Sequence, residues 1–89
     1  GAAAPDYAKA RTDLQAWNLS GARKHLTGKP TASTALKHAI LKARLDLMRS
    51  DFQAVVKGLV PKVSAYPRAY EARVLLGKAF KALGRSADG

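Results

Sequence analysis

Two amphipathic segments separated by a proline break constrain the fold of this chain more than any other feature. The first begins after Ser50, the second ends at Gly84, and Tyr66-Pro67 lies between them. Placed on helices, each segment gathers its apolar side chains on one face. These are Phe52, Val55, Val56, Leu59 and Val63 in the first, and Ala72, Leu76, Ala79, Phe80 and Leu83 in the second. The pattern predicts two antiparallel helices joined by a short turn.

The N-terminal third of the chain predicts one or two more helices. Apolar residues recur at helical spacing from Tyr7 to Trp17, so we expect Trp17 to anchor the core. Asn18–Gly21 reads as a turn, with Ser20 as the cap of a short second helix, although the first helix could also continue through it. Gly28 and Pro30 are expected to end this region, because proline cannot continue a helix.

The longest predicted helix runs from about Thr34 to Arg49 and has two apolar stripes. One consists of Leu36, Ala39, Ile40, Ala43 and Leu47, and the other of Leu41, Leu45 and Met48. A helix that is apolar on two sides is normally buried from two sides. Further along the chain, Pro61 predicts a kink or an early helix end near Val60. Gly77 predicts a close approach of a neighbouring helix, since glycine lowers helix stability.

These residues resemble the tetratricopeptide repeat family over roughly residues 36–84. The resemblance is carried by Leu76-Gly77 with Phe80, Val55 with Leu59, Pro67, Ser50-Asp51-Phe52 and Gly84. The sequence departs from the family pattern at Arg73, Val55 and Asp46. The first segment, from Asp6, is similar to the second helix of such a repeat. The resemblance implies an all-α fold of four to five antiparallel helices, as in a fragment of an α-solenoid, and a scaffold that binds other proteins.

The length and composition fit a single helical-repeat domain over residues 6–84. Residues 1–5 are interpreted as linker or cloning-derived residues, and residues 85–89 as the start of a further helix or a frayed tail. Cysteine is absent, which excludes disulfides and thiolate metal sites. No apolar run approaches the roughly 18 residues that a membrane span needs. The chain is expected to be part of a longer protein or complex, and the sequence does not indicate its compartment.

The charge balance indicates an acidic partner. Sixteen Lys and Arg residues against six acids give a formal charge of +10 on 89 residues. One interpretation is that the charge attracts an acidic protein segment, a nucleic acid or an anionic membrane surface. The other is that it only keeps the protein surface solvated and self-repelling.

Signals for catalysis are weak. The six acids form no convincing acid–base pair, and Asp6 and Asp51 are better interpreted as residues that start helices. His25 and His38 show no metal-ligand spacing, and we expect both to be ordinary surface or partly buried histidines. The sequence therefore predicts neither an enzyme nor a cofactor or metal site.

The predicted function is protein–protein interaction within a larger assembly or a secretion-type machine. By the resemblance, five residues would face a basic concave groove and bind an acidic or C-terminal protein segment: Lys37, Arg44, Met48, Lys78 and Lys81. The main alternative is a basic helical module that binds nucleic acid. Against this alternative, no stretch of the sequence interleaves aromatic residues with polar side chains that could read bases. A spacer that joins two domains is a third interpretation.

Overall fold

The chain folds into five α-helices over residues 4–84, the part that the computed structural model describes. They are α1 (Tyr7–Gln15), α2 (Leu19–His25), α3 (Ala35–Met48), α4 (Phe52–Ala65) and α5 (Tyr70–Ala82). The described residues contain no β-strand, so the all-α prediction is confirmed. None of the five helices has both the length and the apolar character needed to cross a membrane. The predictions for residues 1–3 and 85–89 lie outside the described residues.

Side-chain caps fix where three of the helices begin. The carboxylates of Asp6 and Asp51 accept hydrogen bonds from backbone amides three residues later, at 3.1 and 3.2 Å. Asn18, and not Ser20 as predicted, caps α2 by accepting from the Gly21 amide at 3.1 Å. A Cβ on Gly21 would lie 2.5 Å from the Asn18 side chain, so a larger residue there would shift the side chain that forms this cap. Each cap satisfies an amide that the helix itself leaves unpaired.

The same turn follows α1 and α3. Trp17 and Ser50, 33 positions apart, both have a left-handed backbone, with φ of 57° and 59°. The amide of each of these residues donates a hydrogen bond to the carbonyl three residues earlier, at 3.2 Å for Trp17 and 2.9 Å for Ser50. The amide of the following residue, Asn18 or Asp51, donates to the carbonyl five residues earlier, at 2.8 Å in both turns. This is the Schellman pattern of helix ends. Gly84, 34 positions after Ser50, ends α5 with a φ of 73°.

Helix α3 lies at the centre of the fold and contacts each of the other four helices. On one side of α3, Leu41 and Leu45 form a first core with buried residues of α1 and α2. These are Ala10, Leu14, Ala22 and Leu26. On the other side of α3, Ala43 joins a second core formed with Val55, Leu59, Ala72, Leu75 and Ala79. The remaining residues of each predicted stripe pack against the matching core. The prediction that α3 is buried from two sides is therefore confirmed.

Two further local predictions are wrong, and one of the two alternatives predicted at Pro61 is excluded. Trp17 is 68% exposed because it lies in the turn after α1 and not on the buried face of the helix. Gly77 is exposed, and a Cβ placed on it would have no atom within 4 Å, so no helix packs closely there. Helix α4 continues through Pro61 to Ala65, so the predicted early end does not occur.

Helix α1 packs against α2 through the same kind of turn that joins α3 to α4. The likeness of α1 to the second helix of a repeat, which was based on Asp6-Tyr7 and Ala10, stays a prediction. The stripe of a helix shows which residues are buried, but it does not show which neighbour buries them.

Candidate functional site

A groove runs across the face formed by α1, α3 and α5. It consists of two adjoining pockets of about 510 and 480 Å³, with α3 as the floor and α1 and α5 as the walls. Three residues line both pockets: Gln15, Arg44 and Glu71. We call this feature the α1/α3/α5 groove.

Apolar side chains form much of the surface of this groove. Leu36, Ile40 and Leu41 line the first pocket, and Leu14, Leu47, Met48, Val74 and Leu75 line the second. Several of these residues also belong to the two cores or pack against them. The groove is therefore supported by packed side chains, and a ligand that covered them would bury additional apolar area.

One cation from each of the three helices lies along the groove. Arg11, Arg44 and Lys78 are separated by 33 and 34 positions, the same spacings as the three left-handed turn residues. Arg44 forms an ion pair with Glu71 between the two pockets. The two side chains are 42% and 43% exposed, so solvent screens their attraction and the pair contributes about 0–1 kcal/mol. A competing carboxylate could therefore replace Glu71 at low cost.

Lys37 is held at the edge of the first pocket by an aromatic ring. Its ammonium lies 5.6 Å from the centroid of the Tyr7 ring on α1. The Tyr7 hydroxyl is 3.1 Å from Nδ1 of His38, and the two rings meet edge to face. A cation over an aromatic ring contributes about 0.5–1 kcal/mol at an exposed site. These contacts connect α1 to α3 where the first pocket opens.

Four of the five predicted binding residues line the groove: Lys37, Arg44, Met48 and Lys78. Lys81 is exposed but is not among the residues that line either pocket. Arg44 differs from expectation because Glu71 neutralises much of its charge. The groove is consequently less basic at its middle than the sequence suggested. Whether these residues bind a partner stays a prediction.

Sequence reasoning predicted Lys78 of α5 but missed Arg11 of α1 and Glu71 of α5. Glu71 is 27 positions from Arg44, a separation for which no helical spacing rule predicts an ion pair. Arg11 did have a signal in the sequence, because it lies 33 positions before Arg44 just as Trp17 lies 33 before Ser50. Aligning α1 with α3 at this spacing would have found it.

The two histidines make structural contacts within the described part of the chain. His25 lies 2.6 Å from the Asp13 carboxylate and so ties α2 to α1. Burial, and then the Lys42 ammonium, lower the pKa of His38 below its ordinary value of 6.5. No group of three or more potential metal ligands comes together among residues 4–84.

Comparison with known proteins found no matching family model, no matching curated protein and no matching solved structure. The resemblance to the tetratricopeptide repeat family therefore stays a prediction. The function must be argued from the groove and from the distribution of charge.

Proposed function

We propose that this chain is a non-enzymatic protein–protein interaction module, built as a fragment of a tetratricopeptide-like α-solenoid of antiparallel helices. In this proposal the α1/α3/α5 groove is its concave binding face. The recurrence of a left-handed backbone at Trp17, Ser50 and Gly84 supports the repeat interpretation, because the spacings of 33 and 34 residues are those of helix-pair repeats.

The observation that carries the proposal is an apolar groove with cations beside it. Two apolar pockets lie on either side of the Arg44–Glu71 pair, with Arg11 and Lys37 at the first pocket and Lys78 at the second. An extended protein segment fits this arrangement if it carries two apolar side chains with acidic residues near them. The apolar contacts would supply affinity, and the charges would supply orientation and speed of association.

The ion pair at the centre suggests how an acidic segment would engage. Arg44 presents a guanidinium that can bind a carboxylate through two parallel hydrogen bonds. A side-chain or C-terminal carboxylate of the partner would take the place of Glu71 on Arg44. Because both side chains are partly exposed, the exchange would not leave a buried charge unpaired.

Nucleic-acid binding is the second candidate, and one observation favours it. Of the 15 Lys and Arg residues between positions 4 and 84, only Lys42, Arg44 and Arg49 lie within 4 Å of a carboxylate that belongs to this same described stretch. The remaining cations are spread over several helices and are not confined to the groove. A phosphate backbone would bind such a surface with a steep dependence on salt.

The test selects peptides from a displayed library of acidic sequences and measures the affinity of a selected peptide by surface plasmon resonance. The double variant Lys37→Glu/Lys78→Glu reverses two charges at the groove. The control Lys9→Glu/Lys57→Glu makes the same change of net charge at exposed positions that do not line the groove. We expect the groove variant to weaken binding by roughly tenfold more than the control, mainly through slower association. Equal losses in the two variants would rule out the groove as the binding face.

A salt titration separates the two candidates. Between 50 and 200 mM salt, binding to an oligonucleotide through several phosphates should weaken by roughly a thousandfold or more. A peptide held in the groove by apolar contacts should lose far less. Tight oligonucleotide binding at 150 mM salt, with no peptide selected, would favour the nucleic-acid function instead.

A further inference from the structure

A further pocket, which is not part of the groove, lies on the other side of α3, between α3 and the end of α2. It has a volume of about 370 Å³ and is separate from the α1/α3/α5 groove. Residues of a helix are about 100° apart, so Lys42, which lines this pocket, points roughly 160° away from Arg44 in the groove. The wall of this pocket consists of Arg23, Leu26, Thr27, Gly28, His38, Lys42, Leu45, Asp46 and Arg49. We call it the α2–α3 pocket.

Three cations line this pocket with one carboxylate. Asp46 is 3% exposed, and its oxygens lie 2.9 Å from Nζ of Lys42 and 3.9 Å from Nη1 of Arg49. The buried carboxylate thereby holds both cations at the wall. Arg23 reaches the pocket from α2, and no carboxylate of residues 4–84 lies within 4 Å of it. Three positive charges against one negative charge leave a net charge of +2.

The remaining wall is suited to a small anion. Gly28 has a φ of 117°, which other residues rarely adopt, so the wall there is bare backbone without a side chain. Leu26 and Leu45 are both buried, and they shield one side of the pocket from water. The Lys42 and Arg49 side chains are themselves 55% and 43% exposed, so solvent screens part of their attraction for an anion. His38 adds an imidazole to the wall.

From this arrangement we propose that the α2–α3 pocket binds the terminal phosphate of a phosphate monoester. Near pH 8 such a group carries two negative charges, which match the surplus of +2. Arg23 and Arg49 are the principal ligands, because guanidinium groups bind phosphate oxygens through paired hydrogen bonds. Lys42 contributes charge while it stays attached to Asp46. The phosphodiesters of nucleic acids, with one charge and two bulky substituents, fit the pocket less well.

The inference goes beyond the proposed protein-binding function and does not depend on it. Lys37 and Lys78 are absent from the walls of the α2–α3 pocket. The variant Lys37→Glu/Lys78→Glu should therefore bind phosphate as the unaltered chain does. A failure of the groove proposal would leave this site untouched.

The test titrates the ¹⁵N-labelled chain with inorganic phosphate at pH 8 and constant ionic strength, followed by NMR. We expect saturable shifts at Arg23, Gly28, Lys42 and Arg49. Arg23→Gln should weaken binding by roughly fivefold to tenfold. Lys24→Gln is the matched control, since it removes the same charge from the next residue of α2, which is exposed and does not line the pocket. It should change the dissociation constant by less than about twofold.

Two further measurements test the chemical class. Methyl phosphate should bind about as tightly as inorganic phosphate, whereas dimethyl phosphate should bind roughly tenfold more weakly because it has one charge instead of two. Bound phosphate should also raise the pKa of His38, read from its ring carbon shifts. Non-saturable shifts spread over the exposed lysines, equal losses in Arg23→Gln and Lys24→Gln, or equal binding of the diester would each overturn the proposal.

Discussion

Replacing Ser50 by glycine should stabilise the fold. Ser50 is exposed and has a φ of 59°, a left-handed conformation that costs an L-residue about 1–2 kcal/mol relative to a right-handed one. Glycine adopts this conformation without that cost. The chain itself uses glycine at the corresponding position after α5, Gly84, where φ is 73°.

The expected gain is the difference between two opposing effects. Relief of the left-handed strain contributes about 1–2 kcal/mol. The greater freedom of glycine in the unfolded chain removes about 0.5–1 kcal/mol of this. The midpoints of the two ranges differ by about 0.75 kcal/mol, so Ser50→Gly should raise the free energy of unfolding by roughly this amount. For a domain of this size, that gain corresponds to an increase in Tm of about 3–6 °C.

Thermal unfolding followed by circular dichroism measures the change, and Ser64→Gly is the matched control. Ser64 is also exposed but lies within α4, so the same substitution there should lower the free energy of unfolding by about 0.5 kcal/mol. The two variants should thus shift Tm in opposite directions. If Ser50→Gly lowers Tm as Ser64→Gly does, the left-handed turn after α3 is wrong.

Three further predictions concern a helix position, the second core and pH. Gly77→Ala should raise the free energy of unfolding by up to about 1 kcal/mol in urea titrations, because Gly77 is an exposed helical residue with space for a Cβ; a loss would mean a close contact. Leu59→Ala should cost about 2–5 kcal/mol in the same assay, since Leu59 is 0% exposed; a loss below 1 kcal/mol would contradict the second core. Burial and Lys42 lower the pKa of His38 in the folded chain, so the unfolded chain binds that proton more readily. Tm should therefore fall as the pH drops below 6.5, and the fall should be smaller in His38→Gln. The same dependence of Tm on pH in both proteins would contradict a role for His38.

The sequence predicted where α3 and α4 begin, because a helix start depends on local chemistry. Asp51 caps α4 and Thr34 precedes α3, as their positions before apolar periodic segments indicated. The two stripes of α3 also predicted its two buried sides, since helical periodicity alone fixes which residues share a face. Trp17 was misassigned because periodicity shows no helix end, and Trp17, the last residue of the stripe, itself has the left-handed backbone of the turn after α1.

The groove and the α2–α3 pocket were decided by tertiary structure. Four of the five predicted binding residues line the groove, and three of these four lie on one face of α3. That Glu71 meets Arg44, and that Arg23 reaches the pocket beside Asp46, depends on how neighbouring helices are rotated and shifted against one another. Sequence alone therefore determined which side of each helix is buried. The packing of the helices determined which charges meet, because an ion pair between helices forms only where two side chains come within a few ångströms.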